Sequence, residues 1–196
     1  MIKRAKWYGL AIASAAALAA LSLTGVAPLS AKAAPLFTST WVDGPTAVQG
    51  PVPPPTPECL GVLGGNMTNG TPVVTWTCNG HPDQTWEFTG TPGQTQGTLE
   101  NSQNPSKCLG VLAGATSDGS NLVIWDCNGH PDQLWGLVPF SAPRNGPFGC
   151  FVFENSNTNG QKVMGALGGN PTDGTQAVLW DNLSGQGHLD QAWCPE

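Results

Sequence analysis

His81, His130 and His188 are the only histidines in the 196-residue chain, and each stands two places before an aspartate, Asp83, Asp132 or Asp190. Each aspartate runs straight into Gln-x-Trp, as Gln84-Thr85-Trp86, Gln133-Leu134-Trp135 and Gln191-Ala192-Trp193. An imidazole beside a carboxylate can move protons, ligate a metal or hold a polar ligand by hydrogen bonds. Proton-transfer catalysis needs one asymmetric set of unlike groups at matched pKa values, whereas these groups recur three times. There is no Gly-x-Ser-x-Gly elbow and no His-Glu-x-x-His motif. His-x-Asp offers two ligands, too few for a structural zinc, so no metal and no cofactor is called for. Hydrogen bonding to a ligand is the chemistry that is left, because one carboxylate can accept from two neighbouring donors. The competing reading makes each aspartate a turn residue bonded to nearby backbone, and each histidine a turn residue packed on the adjacent loop.

These groups belong to a repeated unit. Cys59 to Trp86 reads CLGVLGGNMTNGTPVVTWTCNGHPDQTW, and Cys108 to Trp135 reads CLGVLAGATSDGSNLVIWDCNGHPDQLW, in register without a gap. A third copy, Val163 to Trp193, keeps the register through Trp180 and carries three extra residues before His188. Asn69-Gly70, Asp118-Gly119 and Asp173-Gly174 fall at equivalent places and predict a hairpin with a tight turn in each copy. The β-branched and aromatic run after it, Val73 to Trp76 in copy one, reads as the returning strand. Leu99-Glu100-Asn101-Ser102 and Phe153-Glu154-Asn155-Ser156 mark an upstream first strand in copies two and three. Copy one has Pro51, Pro53, Pro54, Pro55 and Pro57 there instead, so Phe37 to Val42 is expected to supply its first strand, with the proline run as an insertion or linker.

Cys59 and Cys78 bracket the hairpin of copy one, and Cys108 and Cys127 that of copy two, while copy three has Val163 and Asn182 at those positions. The joint absence favours Cys59–Cys78 and Cys108–Cys127, and exclusion pairs Cys150 with Cys194. Oxidised pairs fit an exported chain. Lys3, Arg4 and Lys6 precede an apolar run from about Leu10 to Leu23, followed by Ala31-Lys32-Ala33, which reads as a secretory signal peptide over residues 1–33. The alanine-rich leader suits a bacterial exporter. The apolar run is short for a membrane span, and no later one is long enough.

Removing the leader leaves Lys107, Arg144 and Lys162 against 13 acidic side chains, a balance of −10. Such a surface repels nucleic-acid phosphates and anionic membranes. With 26 Gly and 18 Pro, the chain favours short strands and turns over long helices.

The three Gln-x-Trp motifs, with the Cys-Leu-x-Val and Trp-x-Cys elements of copies one and two, resemble the ricin B-type lectins. That resemblance implies an all-β fold, a β-trefoil with pseudo-threefold symmetry, over residues 58–196, with repeats at about 58–90, 98–138 and 150–196. Residues 34–57 then form an N-terminal segment with the proline-rich stretch. It also implies a sugar-stacking ring at Trp76, Trp125 and Trp180, and a hydrogen-bonding side chain at Asp83, Asp132 and Asp190. Related modules have a polar side chain touching sugar where Asn79 and Asn128 stand; copy three has Leu183. Gln84, Gln133 and Gln191 with Trp86, Trp135 and Trp193 are expected to be structural, the indoles as core anchors. His81, His130 and His188 would add to the pocket walls.

One departure bears on function. The third residue of Cys-Leu-x-Val is usually an Asp in the family, whereas this chain has Gly61, Gly110 and, by alignment, Gly165. Conversely, the residue before Gln is commonly Asn in the family and is Asp in every copy here. The expectation is therefore a rearranged site. Two functions follow: a secreted, noncatalytic binder of glycans or polysaccharides with up to three shallow pockets, or a trefoil with degenerate sugar sites that serves as a protein-interaction or inhibitor scaffold. The sequence sets no oligomeric state.

Overall fold

Each repeat contributes four strands. In the computed structural model, which describes residues 35–44, 56–90, 96–140 and 149–196, they are β1 Pro35–Asp43, β2 Glu58–Val62, β3 Val73–Thr77 and β4 Thr85–Gly90 in repeat one. Repeat two has β5 Gln96–Asn101, β6 Asn104–Val111, β7 Leu122–Asp126 and β8 Trp135–Pro139; repeat three has β9 Phe151–Asn155, β10 Lys162–Ala166, β11 Thr175–Asp181 and β12 Trp193–Pro195. The expected leader, residues 1–33, and Pro51 to Pro55 of the proline run lie outside the described residues. Among the described residues no helix is long and apolar enough to cross a membrane.

The first and last strands of the repeats pair in a closed cycle, β1 with β4, β4 with β5, β5 with β8, β8 with β9, β9 with β12 and β12 with β1, all antiparallel. Closure removes the open sheet edges that invite aggregation. The middle strands form three hairpins, β2–β3, β6–β7 and β10–β11. The architecture is an all-β trefoil with pseudo-threefold symmetry. β1 covers the stretch from Phe37 to Val42 that was expected to complete repeat one.

Trp86, Trp135 and Trp193 are fully buried, and each indole N–H donates to a backbone carbonyl of the core, that of Leu60 at 2.9 Å, Leu109 at 3.0 Å and Met164 at 3.2 Å. An indole is a large apolar body with one donor to satisfy, and the threefold arrangement meets both demands. Trp41 packs edge-on to Phe153, with ring centroids 4.8 Å apart. Disulfides join Cys59 to Cys78, Cys108 to Cys127 and Cys150 to Cys194.

The hairpin turns differ from expectation. Val62 pairs with Val73, Val111 with Leu122 and Ala166 with Ala177, so each connection is a long loop rather than a tight turn. Gly70, Gly119 and Gly174 do take positive φ, at 88°, 79° and 84°. They use it to aim their N–H groups at another repeat: Gly70 donates to Ile124 O, Gly119 to Leu179 O and Gly174 to Thr75 O, at 2.8 to 2.9 Å. A positive φ is legible in a dipeptide, but the partner it serves is not.

Candidate functional site

The clefts are built between a hairpin and the loop that follows it. In repeat one, Gln84 ties that loop down: its Oε1 accepts from the Asn79 N–H at 2.9 Å, and its Nε2 donates to Thr77 O at 3.0 Å. Gln133 does the same with Asn128 N and Asp126 O, and Gln191 with Leu183 N and Asp181 O. All three glutamines are buried, so these bonds satisfy amides that would otherwise be costly to bury. The clip works equally in repeat three, despite its three-residue insertion, because it reads backbone and not side chains.

The short 3-10 turns Pro82–Gln84, Pro131–Gln133 and Leu189–Gln191 carry the aspartates. A buried amide from the next repeat pins two of them: Asn101 Nδ2 donates to Asp83 O at 2.8 Å, and Asn155 Nδ2 to Asp132 O at 2.9 Å. The three aspartates are half-buried. At Asp83, burial raises the carboxyl above its ordinary pKa; its own N–H, the His81 charge and the Val62 N–H pull the other way. In repeat three, His188 Nδ1 lies 3.6 Å from Asp190 Oδ1.

These carboxylates stand against the unusual glycines. A Cβ built on Gly61 would lie 3.3 Å from Asp83 Oδ2, on Gly110 3.1 Å from Asp132 Oδ2, and on Gly165 3.5 Å from Asp190 Oδ2. The Gln-x-Trp turn thus delivers an acid to the place next to which the strand lacks one.

Across each cleft is an indole. Trp76, Trp125 and Trp180 sit on the returning strands with 39%, 40% and 40% of their surface exposed, in contrast to the fully buried Gln-x-Trp indoles. Trp76, His81 and Asp83 line a cavity of about 540 Å³; Trp125, His130 and Asp132 one of about 150 Å³; Trp180, His188 and Asp190 one of about 250 Å³. Asn79 and Asn128 line the first two as well, but their Oδ1 atoms already accept from the His81 and His130 N–H groups, both at 2.9 Å. Those asparagines therefore shape the loop, and each keeps its amide nitrogen and the second lone pair of Oδ1 for a ligand.

Sequence reasoning missed one wall. Gln103, from the loop between β5 and β6 of repeat two, lines the repeat-one cavity and donates to Gly65 O at 2.9 Å. Asn157 repeats the contact on Gly114 O at 3.0 Å. The available signal is an amide two residues after Asn101 and after Asn155, in register.

Among the described residues, Cys59, Cys78 and Glu196, and likewise Glu100, Cys108 and Cys127, bring possible metal-ligating atoms together. Each group is a disulfide plus one carboxylate, and disulfide sulfur is not the thiolate a metal requires.

Residues 53–146 match the family of the ricin-type beta-trefoil lectin domain. Among curated proteins none matches the chain. Among solved structures, it is similar to the designed threefold-symmetric protein ThreeFoil, at 19% identity and a TM-score of 0.63, over 79% of this chain and 96% of that one. It is similar to an exo-beta-1,3-galactanase from Clostridium thermocellum at 20% identity and a TM-score of 0.63, over 83% of this chain but 31% of the galactanase. The ricin B-like lectin of Macrolepiota procera, solved in complex with lactose, is similar at 18% identity and a TM-score of 0.56, over 79% of this chain and 92% of that one. At these identities the likeness is one of fold.

Proposed function

We propose that this chain, a ricin B-type β-trefoil by its repeats, its fold and its family match, is an exported, noncatalytic carbohydrate-binding protein with one shallow site in each repeat. The observation that carries the reading is the threefold pairing of a half-exposed indole with a half-buried aspartate across one cleft. A sugar ring has an apolar C–H face and a hydroxyl edge. The indole receives the face, and the carboxylate accepts from two neighbouring hydroxyls. Asp83, Asp132 and Asp190 take the acceptor role, with His81, His130 and His188 on the rim. The glycines at 61, 110 and 165, where the family usually has an acid, favour the degenerate scaffold, whereas the carboxylate beside each of them supports a relocated acceptor.

Shallow single sites bind weakly, and a glycan long enough to engage more than one gains apparent affinity without new contacts. Export agrees with the leader pattern in residues 1–33 and with the three disulfides. A noncatalytic role agrees with ionisable groups that recur in every repeat and are not gathered into one asymmetric centre.

The test is binding to neutral polysaccharides by pull-down and by tryptophan emission, with Trp76→Ala, Trp125→Ala and Trp180→Ala combined as the control. Those rings are half-exposed and each rests on a glycine of another repeat, so the thermal midpoint should fall while the protein stays folded at the assay temperature, and binding and the emission change should disappear. Binding that survives the triple substitution, or no binding by the unaltered protein, would overturn the reading.

A further inference from the structure

The clefts share an electrostatic property that their residue types alone do not reveal. All 13 acidic side chains lie in the described residues, and the basic ones there are Lys107 and Lys162. Both lysines are engaged elsewhere. Lys107 Nζ reaches Asp126 Oδ1 at 2.5 Å and Asn69 Oδ1 at 2.6 Å; Lys162 Nζ reaches Asp118 and Asp181, both at 2.5 Å. Among the described residues, then, each cleft has a half-buried carboxylate in its wall and no lysine or arginine.

An ionised carboxylate that is partly desolvated, with no lysine or arginine beside it, is held at a cost that the neighbouring imidazole (His81, His130 or His188) offsets only when it is protonated. A ligand bringing its own positive charge relieves that cost, and a ligand bringing a negative charge adds to it. The indole opposite works in the same direction, since the face of an aromatic ring attracts cations. The surrounding excess of acids extends the same preference beyond contact distance.

We propose that the three clefts select glycans by charge, binding hexose rings that carry a free amine above neutral rings and rejecting uronate-bearing chains. A ring ammonium donates to the aspartate in place of one hydroxyl, so the stacked pose is unchanged and a charge pair is added. One cleft per repeat suits a polymer with an amine on successive rings. The inference rests on the carbohydrate reading above and names the ligand class for the same site.

The experiment titrates the protein with glucosamine oligomers, their fully N-acetylated counterparts and galacturonate oligomers of equal length, with the amine kept protonated. One ion pair at a partly exposed site predicts about tenfold tighter binding of the amine oligomer than of the acetylated one. That advantage should shrink severalfold at about 0.5 M salt, where screening reaches within a few ångströms. Combining Asp83→Asn, Asp132→Asn and Asp190→Asn keeps the side-chain shape and should bring the amine-to-acetyl affinity ratio to about one, whatever the absolute affinities. The ten other acids stay in place, so an advantage that persists in this variant belongs to the general surface and overturns the proposal. A single Asp132→Asn change, read at the Trp125 indole resonance, gives the same comparison one cleft at a time if the triple variant folds poorly. Equal affinity for amine and acetylated oligomers, or binding of galacturonate as strong as either, also overturns it and leaves the carbohydrate reading standing. No binding to any of the three, or to a neutral polysaccharide panel, would sink both.

Discussion

The ring of Trp125 leans on a glycine from another repeat: its Cζ3 lies 3.5 Å from the place where a side chain on Gly70 would begin. Gly119 backs Trp180 in the same way, and Gly174 backs Trp76, both at 3.8 Å. Each cleft is thus finished by the loop of the repeat before it, and the handover closes on itself. Gly70→Ala should therefore perturb the site of repeat two more than that of repeat one. The positive φ predicts a cost of about 1–2 kcal/mol in stability. With indole-labelled protein, the Trp125 resonance should move more than the Trp76 resonance; the reverse order would contradict the cross-repeat support.

Restoring an acid on the strand should damage the site rather than improve it. In Gly110→Asp the new Cβ would lie 3.0 Å from Gln133 Cγ and 3.1 Å from Asp132 Oδ2. That is overpacking, with two carboxylates forced together, so we expect a loss of about 1–3 kcal/mol in stability and weaker ligand binding in repeat two. Adding Asp132→Asn should recover part of both, a coupling that a double-mutant cycle measures directly.

Asp43 occupies the third position of a set whose other members are amides. It pairs with Trp193 as Asn101 pairs with Trp86 and Asn155 with Trp135. Burial, then the charges of Asp190 and Glu58, push its carboxyl well above the ordinary aspartate range. Its stabilising contribution is fully present below the unfolded-state pKa, and it drains away as pH rises toward the folded-state value. Asp43→Asn should lack that loss. The difference in thermal midpoint between variant and parent should then grow in the variant's favour as pH rises from about 4, the unfolded-state pKa, toward neutrality. A constant difference across that range would count against the assignment.

Ala113 holds a φ of 55°, whereas the equivalent positions are Gly64 at 63° and Gly168 at 77°. Left-handed backbone costs an alanine about 1–2 kcal/mol, and the greater freedom of glycine in the unfolded chain returns about 0.5–1 kcal/mol of that. Ala113→Gly should raise stability modestly, by up to about 1 kcal/mol in denaturant unfolding. A loss of stability would show that the alanine methyl contributes packing there.

Much of the fold was legible because its signals are local and repeated. Gln84, Gln133 and Gln191 with the tryptophans two places on announced three anchors of one core, and the joint absence of two cysteines in copy three pointed to both hairpin disulfides. The strand from Phe37 followed from the gap it had to fill. What escaped were features whose partner lies in a different copy. Gln103 and Asn157 reach back into the preceding repeat, and Gly70 serves Trp125, so a recurring amide or glycine marks the position while nothing within one unit names its partner. Asp43 escaped for another reason: a single change from amide to acid hid its equivalence to Asn101 and Asn155 until strand register aligned them.

The cyclic support of Trp76, Trp125 and Trp180 makes each lobe depend on its neighbours. A solitary lobe would have a loop with nothing to brace and an indole with nothing behind it, and both wants are met at once when three identical lobes associate in a ring. Three copies of a one-lobe peptide associating in a ring would meet the same contacts between separate molecules that this chain meets within one.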